Sequence, residues 1–337
     1  MAFRRVGVLD LDPTEVGAAA AAIDLVNGFA YFGMSGTPAH AAKVNLATFT
    51  RTAGIQFAAG ENNAYRAVID VAAGFLYFSL TTTPGKFTKI RLSDFTQVDT
   101  ITFALYRNNA RPAVIDVAGG FAYVACTTSP GYIRKIKLLD FTDYAGLETS
   151  SPRINYYSGV INTLTSRAYF GTSTTAGRVV QVNLSDFTNP ATLTLNAGED
   201  YLHCAAIDPA GGFAYFCASM TPAKVIKIRL SDLTRVAAIE LAEGENQPTS
   251  VVIDPINGYL YIGTMTSPAR IVQIALSDFT RVGAITLETG ENNAFCGVID
   301  QPSGLAYFGM GTAPAKIVKI GLTTLAKAQM LPIMGIG

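Results

Sequence analysis

Charge is scarce in this 337-residue chain. Asp, Glu, Lys and Arg make up 15% of it, against about 25% in ordinary soluble domains, and the two signs cancel to a formal net charge of zero. Without an excess of positive charge there is no general attraction to nucleic acid or to an anionic membrane surface, so neither is expected as a partner. No uninterrupted apolar run approaches the ~18 residues of a membrane span, so no membrane insertion is expected. Histidine is nearly missing, with only His40 and His203, and the four cysteines, Cys126, Cys204, Cys217 and Cys296, form no CxxC cluster of the kind that binds metal. The HExxH, GxSxG and P-loop patterns that announce common catalytic sites are absent too. The first twelve residues, MAFRRVGVLDLD, lack the apolar core of a secretory leader; a leader already removed is equally compatible with them.

What the chain has in quantity is repetition. Ile23, Ile69, Ile115, Ile161, Ile207, Ile253 and Ile299 follow one another at a spacing of 46. Eight positions after each stands a tyrosine (Tyr31, Tyr77, Tyr123, Tyr169, Tyr215, Tyr261, Tyr307), and 23 positions after each a leucine, from Leu46 to Leu322. Seven such units account for 322 of the 337 residues, which leaves no room for a second domain. Within a unit, four short β-branched and aromatic runs are separated by Gly, Pro and Asp: LHCAAID, FAYFCAS, KVIKIRL and RVAAIEL in residues 202–241. Such runs read as strands, and four in succession with short turns read as an antiparallel meander. A fixed period of this length with no helical pattern inside predicts a β-propeller. The expected fold is therefore all-β, a single seven-bladed propeller spanning residues 1–337, with four-stranded antiparallel blades.

The turns carry their own causes. An Asp at the end of the first run, replaced once by Asn162, and a Gly four positions later, replaced once by Ser166, fit a turn held by the acid side chain and relaxed by the glycine. Phe95, Phe141, Phe187 and Phe279 in the Ser-Asp-Phe-Thr turn read as apolar plugs between blades. The tyrosines read as a buried ring at the blade interfaces, each hydroxyl with a partner. Cys204 and Cys217 fall opposite each other in the expected register, as a cross-strand disulfide or, the better fit to burial, as free thiols.

Ring closure has two candidates. Arg5 to Leu11 matches the fourth run of a unit, Arg281 to Leu287. Residues 327–333 offer a degraded second copy containing Pro332, which suits a paired strand poorly. Closure by the N-terminal strand is expected, with residues 327–337 a C-terminal extension; closure by 327–333 is the alternative.

Tyr261-Ile262-Gly263-Thr264, following Val252-Ile253-Asp254-Pro255 and Gly258 and followed by a third run and a Ser-Asp-Phe turn, resembles the YVTN-type repeats of bacterial and archaeal surface and adhesive proteins. The literal tetrapeptide is absent. The resemblance covers the whole chain and implies a non-enzymatic binding or scaffold module, extracellular or on the cell surface. Related propellers include lactonases and lyases, so an enzyme with a site at the central mouth is the alternative it implies.

Catalytic residues are not evident. A lyase or lactonase site would gather His, Asp and Glu from separate elements; the nearest approach, His203 with Glu199 and Asp200, lies on one loop. The loops leading into the first runs carry Glu15, Glu61, Glu199, Glu245 and Glu291, and 25 positions on stand His40, Lys86, Lys224, Arg270 and Lys316. Pairs at this offset are expected to fix loop geometry. A ring of these carboxylates around calcium is the alternative; no other cofactor is indicated. Departures from the repeat concentrate in units three to five of the loop face: Tyr106, Arg107, Arg111, Tyr132, Arg153, Tyr156, Tyr157, Tyr201 and His203. Aromatic faces suit sugar rings and guanidinium forks suit carboxylates or phosphates, so this sector is the expected ligand site, for an acidic or neutral glycan or a protein. Oligomeric state has no signature here.

Overall fold

The Asp that ends each first run makes its own turn. Its carboxylate accepts the N–H three residues on, from Asn27 to Asp24 at 2.9 Å and from Gly211 to Asp208 at 2.8 Å. The following glycines take positive φ, 74° at Gly28 and 76° at Gly212, a region that side chains resist. The exception explains itself. Asn162 accepts from Leu164 instead, a single 3₁₀ turn Thr163–Thr165 follows, and Ser166 takes the left-handed conformation where the other units have Gly.

A computed structural model describes residues 2–151 and 153–323. Its strands assemble into seven four-stranded antiparallel sheets, one per unit, and together they form a seven-bladed β-propeller. The inner strands around the central channel are Ala18–Asp24, Ala64–Asp70, Ala110–Asp116, Tyr156–Asn162, Leu202–Asp208, Pro248–Asp254 and Ala294–Asp300, which define blades one to seven. Burial follows position. The second strands are buried on both faces, as in Phe29–Met34 and Leu305–Met310, while outer strands such as Arg4–Asp10 alternate between exposed and half-buried. Stacked sheets cover both faces of their middle strands, so those strands read as continuous apolar runs.

The N-terminal strand closes the ring. Arg4–Asp10 pairs antiparallel with Lys316–Gly321 as the outer strand of blade seven, with Arg4 opposite Gly321 and Asp10 opposite Lys316. The alternative closing segment, 327–333, lies outside the described residues.

Each blade is plugged into its neighbour by an aromatic pair. The seven repeated tyrosines are 0–1% exposed, and Tyr31, Tyr77, Tyr123, Tyr215 and Tyr307 each pack a ring from the turn before the next blade's outer strand: Phe95, Phe141, Phe187, Phe279 and Phe49. These plugs sit at φ of 50–54°, which is costly for a bulky residue; burial of the ring between blades holds them there. A lysine of the third strand caps several pairs: the Lys89 ammonium is 3.9 Å from the Phe75 ring centroid and 5.3 Å from that of Phe141. The expectation that every tyrosine hydroxyl is paired needs correction. Tyr261 accepts from the Thr323 N–H at 3.1 Å, but the buried hydroxyls of Tyr169 and Tyr307 have no partner among the described residues. Dispersion and area burial, not hydroxyl bonding, keep these rings in place.

Cys204 does lie opposite Cys217 in the blade-five register, and all four cysteines are buried free thiols.

Candidate functional site

Every inner strand breaks register at its second residue. The slip falls between Ala18 and Ala20, Ala64 and Arg66, Tyr156 and Ser158, Leu202 and Cys204, Pro248 and Ser250, and Ala294 and Cys296; in blade three it runs from Ala110 to Ala113. A bulge leaves one residue outside the ladder and re-aims its side chain. The residues so released are Ala19, Tyr65, Arg111, Tyr157, His203, Thr249 and Phe295. All seven line one cavity of about 420 Å³ at the loop-face mouth of the channel. The positions are equivalent by the repeat, yet no rule of size or charge links them.

One side of the mouth is filled by an aromatic and cationic cluster. The Arg111 guanidinium sits in the corner made by two rings whose planes are 85° apart, 4.6 Å from the Tyr65 centroid and 4.0 Å from that of Tyr157. The other flank of Tyr157 is stacked on His203, with centroids 4.7 Å apart and planes 16° apart. The His203 Nε2 is 3.2 Å from the Ser173 Oγ. Burial, then the positive charges of Arg111 and Arg66, push the His203 pKa down to about 4, so the imidazole is neutral at neutral pH. Arg66 lies one residue beyond its bulge. Its Nη2 crosses the channel from blade two and donates to the His203 carbonyl in blade five at 3.2 Å. Among the described residues neither Arg66 nor Arg111 has an ion-pair partner, and the buried Arg111 Nε has no acceptor. The opposite side of the mouth is small and mostly apolar: Ala19, Thr249, Met265 and Phe295, with Ser35 nearby.

Of the nine residues expected in the ligand sector, the mouth gathers Arg111, Tyr157 and His203, with Tyr201 at its edge, its ring centroid 6.5 Å from that of His203. The others are elsewhere. Arg107 stacks on Tyr132 at 4.3 Å and donates to the Leu105 carbonyl, and the Tyr132 hydroxyl donates to Glu148. Tyr106 is exposed. Arg153 donates to the Ser150 hydroxyl, and Tyr156 is wholly buried, its hydroxyl 2.8 Å from the Thr149 Oγ1. Tyr65, Arg66, Thr249 and Phe295 were not expected. Reading the single column Ala19, Tyr65, Arg111, Tyr157, His203, Thr249, Phe295 down the repeat would have found three of them.

The loop acids also pair differently from expectation. Glu15 receives Arg51 Nε at 2.9 Å and Nη2 at 2.8 Å; Glu199 is held by Arg235, Glu245 by Arg281 and Glu291 by Arg5. Each base lies on the outer strand of the blade that the acid's loop leads into. Each of these acids also accepts the N–H three residues before it. Lys224 and Arg270, at the expected offset, instead lie over the loop glycines Gly198 and Gly244. The acids do not converge: among the described residues no three His, Cys, Asp or Glu side chains form a metal-ligand group.

Neither family models nor curated protein sequences gave a match to the chain. The seven-bladed architecture therefore stands on the repeat and the structure.

Proposed function

We propose that the chain is a non-enzymatic binding module that takes a glycan at the loop-face mouth of its central channel. The carrying observation is the column of seven bulged residues: it escapes the repeat where the channel opens, and it places two guanidiniums without carboxylate partners beside a cavity of small-molecule size. Ligand sites are concave, mostly apolar and provided with a few convergent polar groups. A protein partner could insert only a side chain or terminus here, which favours the glycan. The YVTN-like unit pattern supports a role at the cell surface or outside the cell. The reading invokes no cofactor and leaves calcium to a chelator control. A glycan array and a pull-down with the wild-type protein test it. Glycan binding lost in the Arg66→Gln/Arg111→Gln double variant, with an unchanged melting temperature, supports it; binding unaffected by that variant removes the mouth as the site.

One observation favours the enzymatic alternative, a lyase or lactonase at the same mouth. His203, held neutral at neutral pH, has the protonation state of a general base. Product formation from a bound ligand, lost in His203→Phe, would decide for it.

A further inference from the structure

The mouth is closed below. Arg66 lines both the mouth cavity and a smaller one of about 200 Å³ beneath it, and its guanidinium reaches the His203 carbonyl on the far side of the ring. The side chain thus bars the channel, and a ligand entering from the loop face meets a positive floor. The volume of about 420 Å³ is near the lower end of the ~300–1,000 Å³ of small-molecule sites. A polymer cannot thread through, but the end of one can enter.

The polar groups describe what enters. The Arg111 guanidinium is 4.6 Å from the Tyr65 ring centroid and 4.0 Å from that of Tyr157, whose planes are 85° apart, and its buried Nε has no acceptor among the described residues, so its N–H edge is the part left to bind. That edge matches a carboxylate, which takes two parallel N–H bonds in one plane. The hydroxyls opposite have already spent their protons: Ser35 Oγ donates to the Gly17 carbonyl at 3.1 Å and Thr249 Oγ1 to that of Ala294 at 2.9 Å. Their oxygens are left as acceptors. A ligand that satisfies both sides carries a negative carboxylate at one end and hydroxyl donors at the other. Phe295, Met265 and Ala19 supply apolar contact for the face of a ring between them.

Resting on the binding reading above, we propose that the mouth is an end-on site for a terminal uronic-acid-type sugar, its carboxylate held by Arg111 over the Arg66 floor. Calorimetric titration with glucuronate, galacturonate and short oligouronides, against glucose, galactose and inorganic phosphate, tests this. Saturable uronate binding is expected, with glucose and galactose at least tenfold weaker. Arg111→Gln and Arg66→Gln should each weaken uronate at least tenfold. Ala19→Trp, which fills the cavity and keeps both guanidiniums, should abolish binding, with thermal melting to confirm its fold. Neutral sugars or phosphate binding as well as uronates, or an Arg111→Gln variant that binds normally, would overturn the proposal. If uronates fail while the array finds a neutral glycan that Ala19→Trp excludes, the acidic specificity falls and the binding module stands. Failure of every probe in both experiments overturns both.

Discussion

Phe3 packs on Tyr261 with ring centroids 5.4 Å apart, joining the first residues of the chain to blade six. It takes the place that Phe49, Phe95, Phe141, Phe187 and Phe279 take against their tyrosines. The N-terminal segment therefore supplies a whole outer edge: the plug, the strand Arg4–Asp10 and Arg5, the partner of Glu291.

Deleting residues 1–12 should consequently leave blade seven with three strands, an unpaired Lys316–Gly321 edge and a buried Glu291 without its cation. The expected result is loss of cooperative folding, whereas deletion of 327–337 removes none of these contacts. Phe3→Ala alone should cost about 1–3 kcal/mol in urea unfolding, below the ~3–5 kcal/mol of a fully buried Phe because Phe3 is only half-buried. A C-terminal deletion more damaging than the N-terminal one would refute this closure.

The fold was legible because the repeat makes every blade meet the same neighbour, so equivalent sites face equivalent demands. The ion pairs were misread for the same reason. Two columns of bases accompany the acids, one 25 positions on and one 36 positions on, and spacing alone does not rank them. The internal substitutions do not rank them either: Glu61 keeps Lys86 25 positions on but has Gln97 36 on, while Arg153 has Arg178 25 on and Asn189 36 on, and Arg107 has no base at either offset, with Tyr132 and Asp143. With the acid replaced, Arg107 and Arg153 mark the loss of a structural pair more than the gain of a site. The mouth was half-seen because a one-residue bulge is not written in hydrophobic pattern; it shows only as a column without a rule.

The acid–arginine pairs should matter unequally. The carboxylates of Glu15 and Glu245 are 1% exposed, so removing the cation leaves a buried charge unpaired. Arg281→Met should cost about 3–5 kcal/mol, the usual penalty for breaking a buried pair from one side. In blade two the partner of Glu61 is Gln97, with Nε2 to Oε2 at 2.6 Å. Gln97→Arg should therefore stabilise the protein by roughly 1 kcal/mol, as a forked ion pair replaces a single amide-to-carboxylate bond. Denaturant midpoints of the two variants check both signs; movement in the same direction would contradict the assignment.

The thiols should be silent in the folded protein. Burial raises the Cys126 and Cys296 pKa values to about 12, and the bond to Cys204, with burial, raises that of Cys217. The thiolate is the reactive form, and all four sulfurs are buried. Titration with a disulfide reagent near pH 8 should find no reactive thiol in the native protein and all four after denaturation. Rapid native reaction would mean that a blade opens far more readily than its packing suggests.

His203 gives the mouth a pH signature. Its pKa falls from 6.5 in the unfolded chain to about 4 in the fold, chiefly through burial and then through Arg111 and Arg66. Between those values the unfolded chain binds a proton that the folded protein refuses. Stability is therefore full above about pH 6.5, falls as pH drops toward 4, and loses nothing further from this residue below that. At about 1.36 kcal/mol per unit the whole loss is roughly 3 kcal/mol. Carboxylates also titrate near the lower end, so the reading is the difference between wild type and His203→Phe, which keeps a ring against Tyr157 and removes the titration. The variant should lack the slope between pH 4 and 6.5. Arg111→Gln should raise the His203 pKa, observable by proton NMR in a chain with only two histidines. A His203 that titrates near 6.5 in the wild-type protein would mean that the Tyr65–Arg111–Tyr157–His203 cluster does not form in solution as described.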